Sequence, residues 1–211
     1  MNAHTESSFI PGPAGPLELA IDRPAVPRPD GGLAVIAHPH PLFGGTLHNK
    51  VVQTLARAFV QQGWVAVRFN FRGVGGSAGV HDHGVGEVDD LLAVAGACVG
   101  EPVPLALAGF SFGGYVAAAA AVRLGTQRPV QAVALVAPAA SRFTLPALDA
   151  ELHERTLVVH GEVDDTVPLA AVLDWTRPQG LPITVVPGGE HFFHGRLPLL
   201  KSLVVRHLRA L

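Results

Sequence analysis

Residues Val103 to Ala121, V-P-L-A-L-A-G-F-S-F-G-G-Y-V-A-A-A-A-A, constrain the fold of this chain more than any other stretch. The apolar run from Val103 to Ala108 has the length and composition of a buried strand. A glycine-rich corner follows, Gly109-Phe110-Ser111-Phe112-Gly113-Gly114. Then Tyr115 to Leu124, almost all Ala and Val, reads as a helix lying close against its neighbours. A serine at the apex of G-x-S-x-G between strand and helix must adopt a strained backbone and point away from the strand end. Gly109 and Gly113 remove Cβ atoms that would clash with the strand and helix on either side. The helix start also aims backbone N–H groups and a positive dipole end at the serine. The plainer alternative is an ordinary glycine-rich loop, but the strand–corner–helix context favours a nucleophilic Ser111.

Apolar runs and helical periodicities alternate through the rest of the chain. The first 32 residues are rich in Pro and Gly, and Ser7 to Ile10 and Leu17 to Asp22 read as a hairpin on a sheet edge. Strands are expected at Leu33 to Ala37, Trp64 to Phe69, Val130 to Val136, Thr156 to Val159 and Ile183 to Val186. Helices are expected at Lys50 to Gln62, Gly86 to Val99, Leu145 to His153, Pro168 to Arg177 and Arg196 to Ala210. Strands alternating with helices predict an α/β fold, a mostly parallel sheet covered on both faces, in one domain spanning residues 1–211.

Composition narrows the function. Hydrophobic residues make up 48% and charged residues 15%, with a net charge of −2, so no basic block marks a nucleic-acid or anionic-membrane partner. No apolar run reaches the length of a membrane span, and the N-terminus lacks a basic start followed by an apolar stretch. The expected location is cytoplasmic. Cys98 is the only cysteine, which excludes an intramolecular disulfide, and its surroundings suit a small buried hydrophobe.

In parallel sheets the reactive residues gather at the carboxyl ends of the strands. After Val159 stands H-G-E-V-D-D-T-V-P, and after Val186 stands P-G-G-E-H-F-F-H-G. Ser, then Asp, then His is one chain order of the serine triad, in which histidine takes the serine proton and a carboxylate orients the imidazole.

The segments A-H-P-H-P-L-F-G-G-T-L-H-N, F-N-F-R-G-V-G-G-S, G-F-S-F-G-G, H-G-E-V-D-D-T-V-P and G-G-E-H-F-F-H-G, spanning residues 37 to 195, resemble the small capless bacterial members of the α/β-hydrolase superfamily. The resemblance implies a Ser–Asp–His hydrolase on a sheet of about eight strands, without a cap domain. It matches Ser111 to the nucleophile, Asp164 to the acid and His191 to the base. Asp165 competes with Asp164 but suits a cap for the helix near Pro168, and His194 competes with His191.

An oxyanion hole needs two N–H donors. Phe112, the residue after the nucleophile, supplies one. The second is sought in His38-Pro39-His40-Pro41-Leu42-Phe43-Gly44-Gly45, where the prolines have no N–H; His40 and Leu42 remain, and Leu42 is preferred. The substrate pocket is expected among His40, Leu42, Phe43, Phe110, Phe192 and Phe193, which suits an acyl or alkyl group. The R-G-V-G-G-S-A-G run has the wrong spacing for a dinucleotide fingerprint, and Arg72 is expected to tie strand ends together. The expected activity is hydrolysis of a small ester or thioester through an acyl-enzyme. The expected partner is that small-molecule acyl substrate, with no cofactor, metal, nucleic acid or membrane and with a homodimer left open. Two alternatives stand beside it. One is a metal-dependent hydrolase using the His38-x-His40 and His191-x-x-His194 pairs, and the other a non-catalytic binding protein on the same fold.

Overall fold

The computed structural model of the chain describes residues 5–97, 103–125 and 128–211. Cys98 lies outside them. Eight strands form one sheet: β1 (Thr5–Gly12), β2 (Gly15–Asp22), β3 (Leu33–Ala37), β4 (Val65–Phe69), β5 (Leu105–Phe110), β6 (Val130–Val136), β7 (Thr156–Gly161) and β8 (Ile183–Val186). Their spatial order is β1-β2-β4-β3-β5-β6-β7-β8. β1 and β2 make the expected antiparallel hairpin, β2 joins β4 antiparallel, and every later pairing is parallel.

The helices are α1 (Lys50–Gln61), α2 (Val85–Ala97), α3 (Phe112–Leu124), α4 (Ala150–His153), α5 (Leu169–Thr176) and α6 (Leu197–Ala210). Side chains alternate across the sheet, so each central strand feeds two cores. Ala34, Ile36, Ala106, Ala108 and Phe110 pack with α1 and α6. Val35, Ala37, Leu105 and Leu107 pack with α2 and α3. Both faces are buried, which is why these strands read as unbroken apolar runs rather than alternating ones.

α1 begins where Asn49 Oδ1 accepts from the N–H groups of Val51 (2.8 Å) and Val52 (3.4 Å). The buried face of α3 is mostly Gly and Ala, which lets it approach closely. A Cβ on Gly113 would overlap the Ala37 carbonyl of β3, and one on Gly109 would overlap the Gly113 carbonyl. β5 therefore runs on to Phe110 and α3 starts at Phe112, leaving Ser111 as the single residue of the corner.

Two expectations need correction. The helix expected over Leu145 to His153 shrinks to α4, four residues long. Leu145 and Leu148 are instead anchored in the core from an irregular segment. Arg72 does not join strand ends; its guanidinium binds Asp90 of α2, at 2.8 Å to Oδ1, and fastens the loop after β4 to that helix. The connection from β6 to β7, Ala137 to Arg155, contains no layer beyond α4, so the carboxyl ends of the strands have no cap.

Candidate active site

Ser111 has φ 57° and ψ −117°, a region that a residue with a Cβ enters only at a cost of about 1–3 kcal/mol. The surrounding backbone holds it there. Its N–H donates to the Val136 carbonyl at 2.9 Å, and its carbonyl accepts from Gly114 at 2.9 Å and Ala139 at 3.1 Å. The loops after β7 and β8 bring the other two groups. His191 Nε2 lies 3.1 Å from Ser111 Oγ, and His191 Nδ1 lies 2.7 Å from Asp164 Oδ2. Asp164 Oδ1 accepts from the N–H groups of Thr166 (2.9 Å) and Val167 (2.8 Å), so only Oδ2 faces the imidazole.

Burial pushes the Asp164 pKa up, but the hydrogen bonds from His191 and from the Val167 and Thr166 N–H groups outweigh it and leave a net lowering. The carboxylate is thus ionised at neutral pH. The His191 proton then sits on Nδ1, and Nε2 is free to accept from Ser111 Oγ–H. His160 stands behind the carboxylate, donating through Nε2 to the Val167 carbonyl at 2.9 Å and lying 3.6 Å from Asp164 Oδ2.

The competitors lie elsewhere. Asp165 is exposed and accepts from Thr166 Oγ1 at 3.3 Å. It does not cap α5, whose N-cap is Pro168 with no side-chain hydrogen bond, so the expected capping role is not met. The His194 ring is exposed and sits 3.1 Å from Glu190.

The aromatic residues divide. A cavity of about 300 Å³ is bordered by Ser111, His191, His40, Phe43, Phe112, Phe143 and Phe192, among others. Phe110 does not border it. It is fully buried and backs the His191 ring, with centroids 4.9 Å apart. Phe193 has φ 55°, which turns it into the core while Phe192 stays 44% exposed. Leu42 also misses the cavity. It is 68% exposed, and its N–H donates to His40 Nδ1 at 3.3 Å. Among the described residues the backbone N–H groups of Phe112 and His40 donate to no protein group, and both residues border the cavity. This geometry favours His40 over Leu42 as the second donor.

Among the wall residues that sequence reading missed are Asn49, Arg142 and Phe143. The last two follow β6, and the rule of inspecting every strand end would have flagged them. It also missed what stiffens the loop after β3. His38 is fully buried, donating through Nδ1 to the Pro39 carbonyl at 2.6 Å and accepting through Nε2 from the Phe71 N–H at 3.1 Å. Both of its nitrogens are engaged within the protein, which removes it from the proposed metal-ligand pair. Leu47 is held at its N–H by Asn70 Oδ1 and at its carbonyl by Arg68, itself ion-paired with Asp22 at 2.9 Å.

Burial pushes the His38 pKa down from 6.5 to about 4. The unfolded chain takes up this proton below pH 6.5 and the folded chain does not, so stability should fall as pH drops through that window. One such group contributes about 3 kcal/mol to the fall. His160 and His207, also lowered by burial, act with the same sign. Urea unfolding at pH 7.5, 6 and 4.5 should show a plateau and then a decline; a flat profile, or a rise toward acid, would contradict the assignment.

Among the described residues no helix is long and apolar enough to cross a membrane. The family described as serine aminopeptidase, S33, matches residues 35–157. The α/β serine hydrolase XC6422 of Xanthomonas campestris, which has no lid, is 38% identical; the match covers 100% of this chain and 96% of that one with a TM-score of 0.88. An alpha-beta serine hydrolase homologue of Coxiella burnetii is 41% identical over 96% of this chain and 97% of that one, with a TM-score of 0.82. The uncharacterized protein RP471 of Rickettsia prowazekii is 40% identical over 116 residues, 52% of this chain and 46% of that protein. The match therefore spans less than half the length of this curated relative. Because the family match alone spans more than half of the chain, and two serine hydrolases share its fold from end to end, the chain belongs to the α/β-hydrolase superfamily and to its serine aminopeptidase S33 family.

Proposed function

We propose that this hydrolase is a carboxylesterase acting on small esters or thioesters through an acyl-enzyme at Ser111. The observation that carries the reading is the continuous relay from Asp164 Oδ2 through the His191 ring to Ser111 Oγ, with links of 2.7 and 3.1 Å. In this reading Nε2 of His191 takes the Ser111 proton as Oγ attacks the acyl carbon. The Phe112 and His40 N–H groups meet the developing oxyanion. The imidazolium, stabilised by Asp164, returns the proton to the leaving group, and water repeats the cycle to release the acid.

The family description names an aminopeptidase, and peptide bonds would use the same relay. Ester chemistry is preferred because among the described residues no Asp or Glu borders the cavity, so none of them puts a carboxylate at hand for a substrate ammonium group. The cavity is also small, about 300 Å³, and uncapped. Specificity should rise about fourfold per methylene, following about 0.8 kcal/mol for each one buried, only until the space is filled. We expect kcat/KM on alkyl esters to peak at acyl groups of about two to six carbons and then level off. A panel of esters, thioesters and aminoacyl amides of graded length tests this. A rise continuing through about twelve carbons, or faster turnover of the amides, would overturn it.

A further inference from the structure

This inference rests on the hydrolase reading above and concerns which esters the cavity selects. Outside the Asp164–His191–Ser111 relay, three side chains of the cavity wall, Asn49, His40 and Arg142, offer donors. Asn49 Oδ1 is engaged at the start of α1, which leaves its Nδ2 as a donor. His40 Nδ1 accepts from Leu42, so in the neutral ring Nε2 carries the proton. Arg142 brings a full positive charge, and among the described residues no acidic side chain on the wall opposes it.

Arg142 is held at a definite place. Its backbone N–H donates to the Ala139 carbonyl at 3.1 Å, and the Ala139 N–H donates to the Ser111 carbonyl at 3.1 Å, so two short links join it to the corner that carries Ser111. Its neighbour Phe143 stacks on Tyr115 with centroids 4.8 Å apart and anchors the loop. The guanidinium lies 5.8 Å over the Phe43 ring, itself part of the cavity wall. Arg68, Arg72, Arg123 and Arg177 each pair with an aspartate. Among the described residues Arg142 pairs with none, and its donors remain available beside the reacting serine.

We propose that the cavity selects small esters bearing a free carboxylate, with Arg142 holding the anion while the ester carbonyl lies at Ser111. A planar guanidinium matches a carboxylate in two parallel hydrogen bonds, which a lysine cannot reproduce. The aromatic wall of Phe43, Phe143 and Phe192 accommodates the apolar spacer between the two groups.

The test uses matched pairs on the full chain. Monomethyl adipate against methyl hexanoate places the charge on the acyl side, and 4-acetoxybenzoate against methyl 4-acetoxybenzoate places it on the leaving group. The readout is the ratio of kcat/KM, acid over neutral, in wild type, Arg142→Gln and Arg142→Glu. In at least one pair wild type should favour the acid. Arg142→Gln should lower that ratio about 10- to 100-fold, chiefly through KM, and Arg142→Glu should lower it further. Arg142→Lys should restore part of it, and added salt should erode it in wild type. A wild type that favours the neutral ester in both pairs, or a ratio that neither substitution moves, overturns the proposal. Labelling by a neutral fluorophosphonate separates the two levels of failure. A protein that labels and hydrolyses esters but ignores the carboxylate sinks this proposal alone, whereas one that neither labels nor hydrolyses any ester sinks the esterase reading with it.

Discussion

Ser111→Ala is expected to lower kcat by about 10⁶, with the folded state intact and fluorophosphonate labelling abolished. The size follows from the division of labour in the site. Removing Oγ takes away the atom that bonds to the acyl carbon, and His191 then has only water to activate. A residual acceleration of about 10³–10⁴ over water would remain from the oxyanion donors and from binding. The fold should survive because the Oγ hydrogen bond is to His191 alone, while the Ser111 backbone is held by Val136, Gly114 and Ala139. Alanine has the same Cβ as serine, so the strain at φ 57° is unchanged. The check is single-turnover kinetics beside circular dichroism and probe labelling. A folded variant that keeps wild-type turnover would remove Ser111 from the chemistry, and with it the acyl-enzyme.

Asp164→Asn should cost about 10⁴ in kcat, while Asp165→Asn changes it less than about twofold. Asp164 Oδ1 accepts two backbone N–H groups, so an asparagine there must keep its oxygen in that place and turn its NH₂ toward His191. His191 Nδ1 would then have to accept, and its proton would move to Nε2, where it blocks removal of the Ser111 proton. The variant retains shape and loses the tautomer. Among the described residues Asp165 accepts only from Thr166 Oγ1, on the solvent side, and has no route to the imidazole. Parallel kcat measurements on the two variants decide the matter, and the reverse ranking would transfer the acid role to Asp165.

The distinction between these neighbours shows where reading from sequence stops. Both aspartates fit a carboxylate after β7, and the sequence prefers Asp164 only through its match to the family motif. What separates them is which one the Thr166 and Val167 N–H groups close upon, and that depends on how the loop folds back. The Phe192–Phe193 pair behaves alike: identical residues, one at the cavity and one in the core, divided by a positive φ at Phe193. Phe110 looked like a pocket residue because it adjoins the serine. The strand parity of β5 instead points it to the α1–α6 side, under the His191 ring.

Local rules sufficed for much of the rest. An apolar run of five or six residues buried on both faces can hardly be other than an interior strand. A corner of Gly109, Ser111 and Gly113 between strand and helix admits one backbone path, because any Cβ at either glycine meets a carbonyl. The strand–helix alternation, the edge hairpin and the corner that carries Ser111 were therefore determined by the sequence itself, each by interactions within a few residues. The tertiary structure alone decided that His40 and not Leu42 borders the cavity, that His38, Asn70 and Arg68 brace that loop, and that Arg142 arrives at the cavity. Each depends on contacts between segments remote in the chain, as when the Ala139 N–H meets the Ser111 carbonyl. Such contacts follow from the packing of strands and helices and leave no period in the sequence.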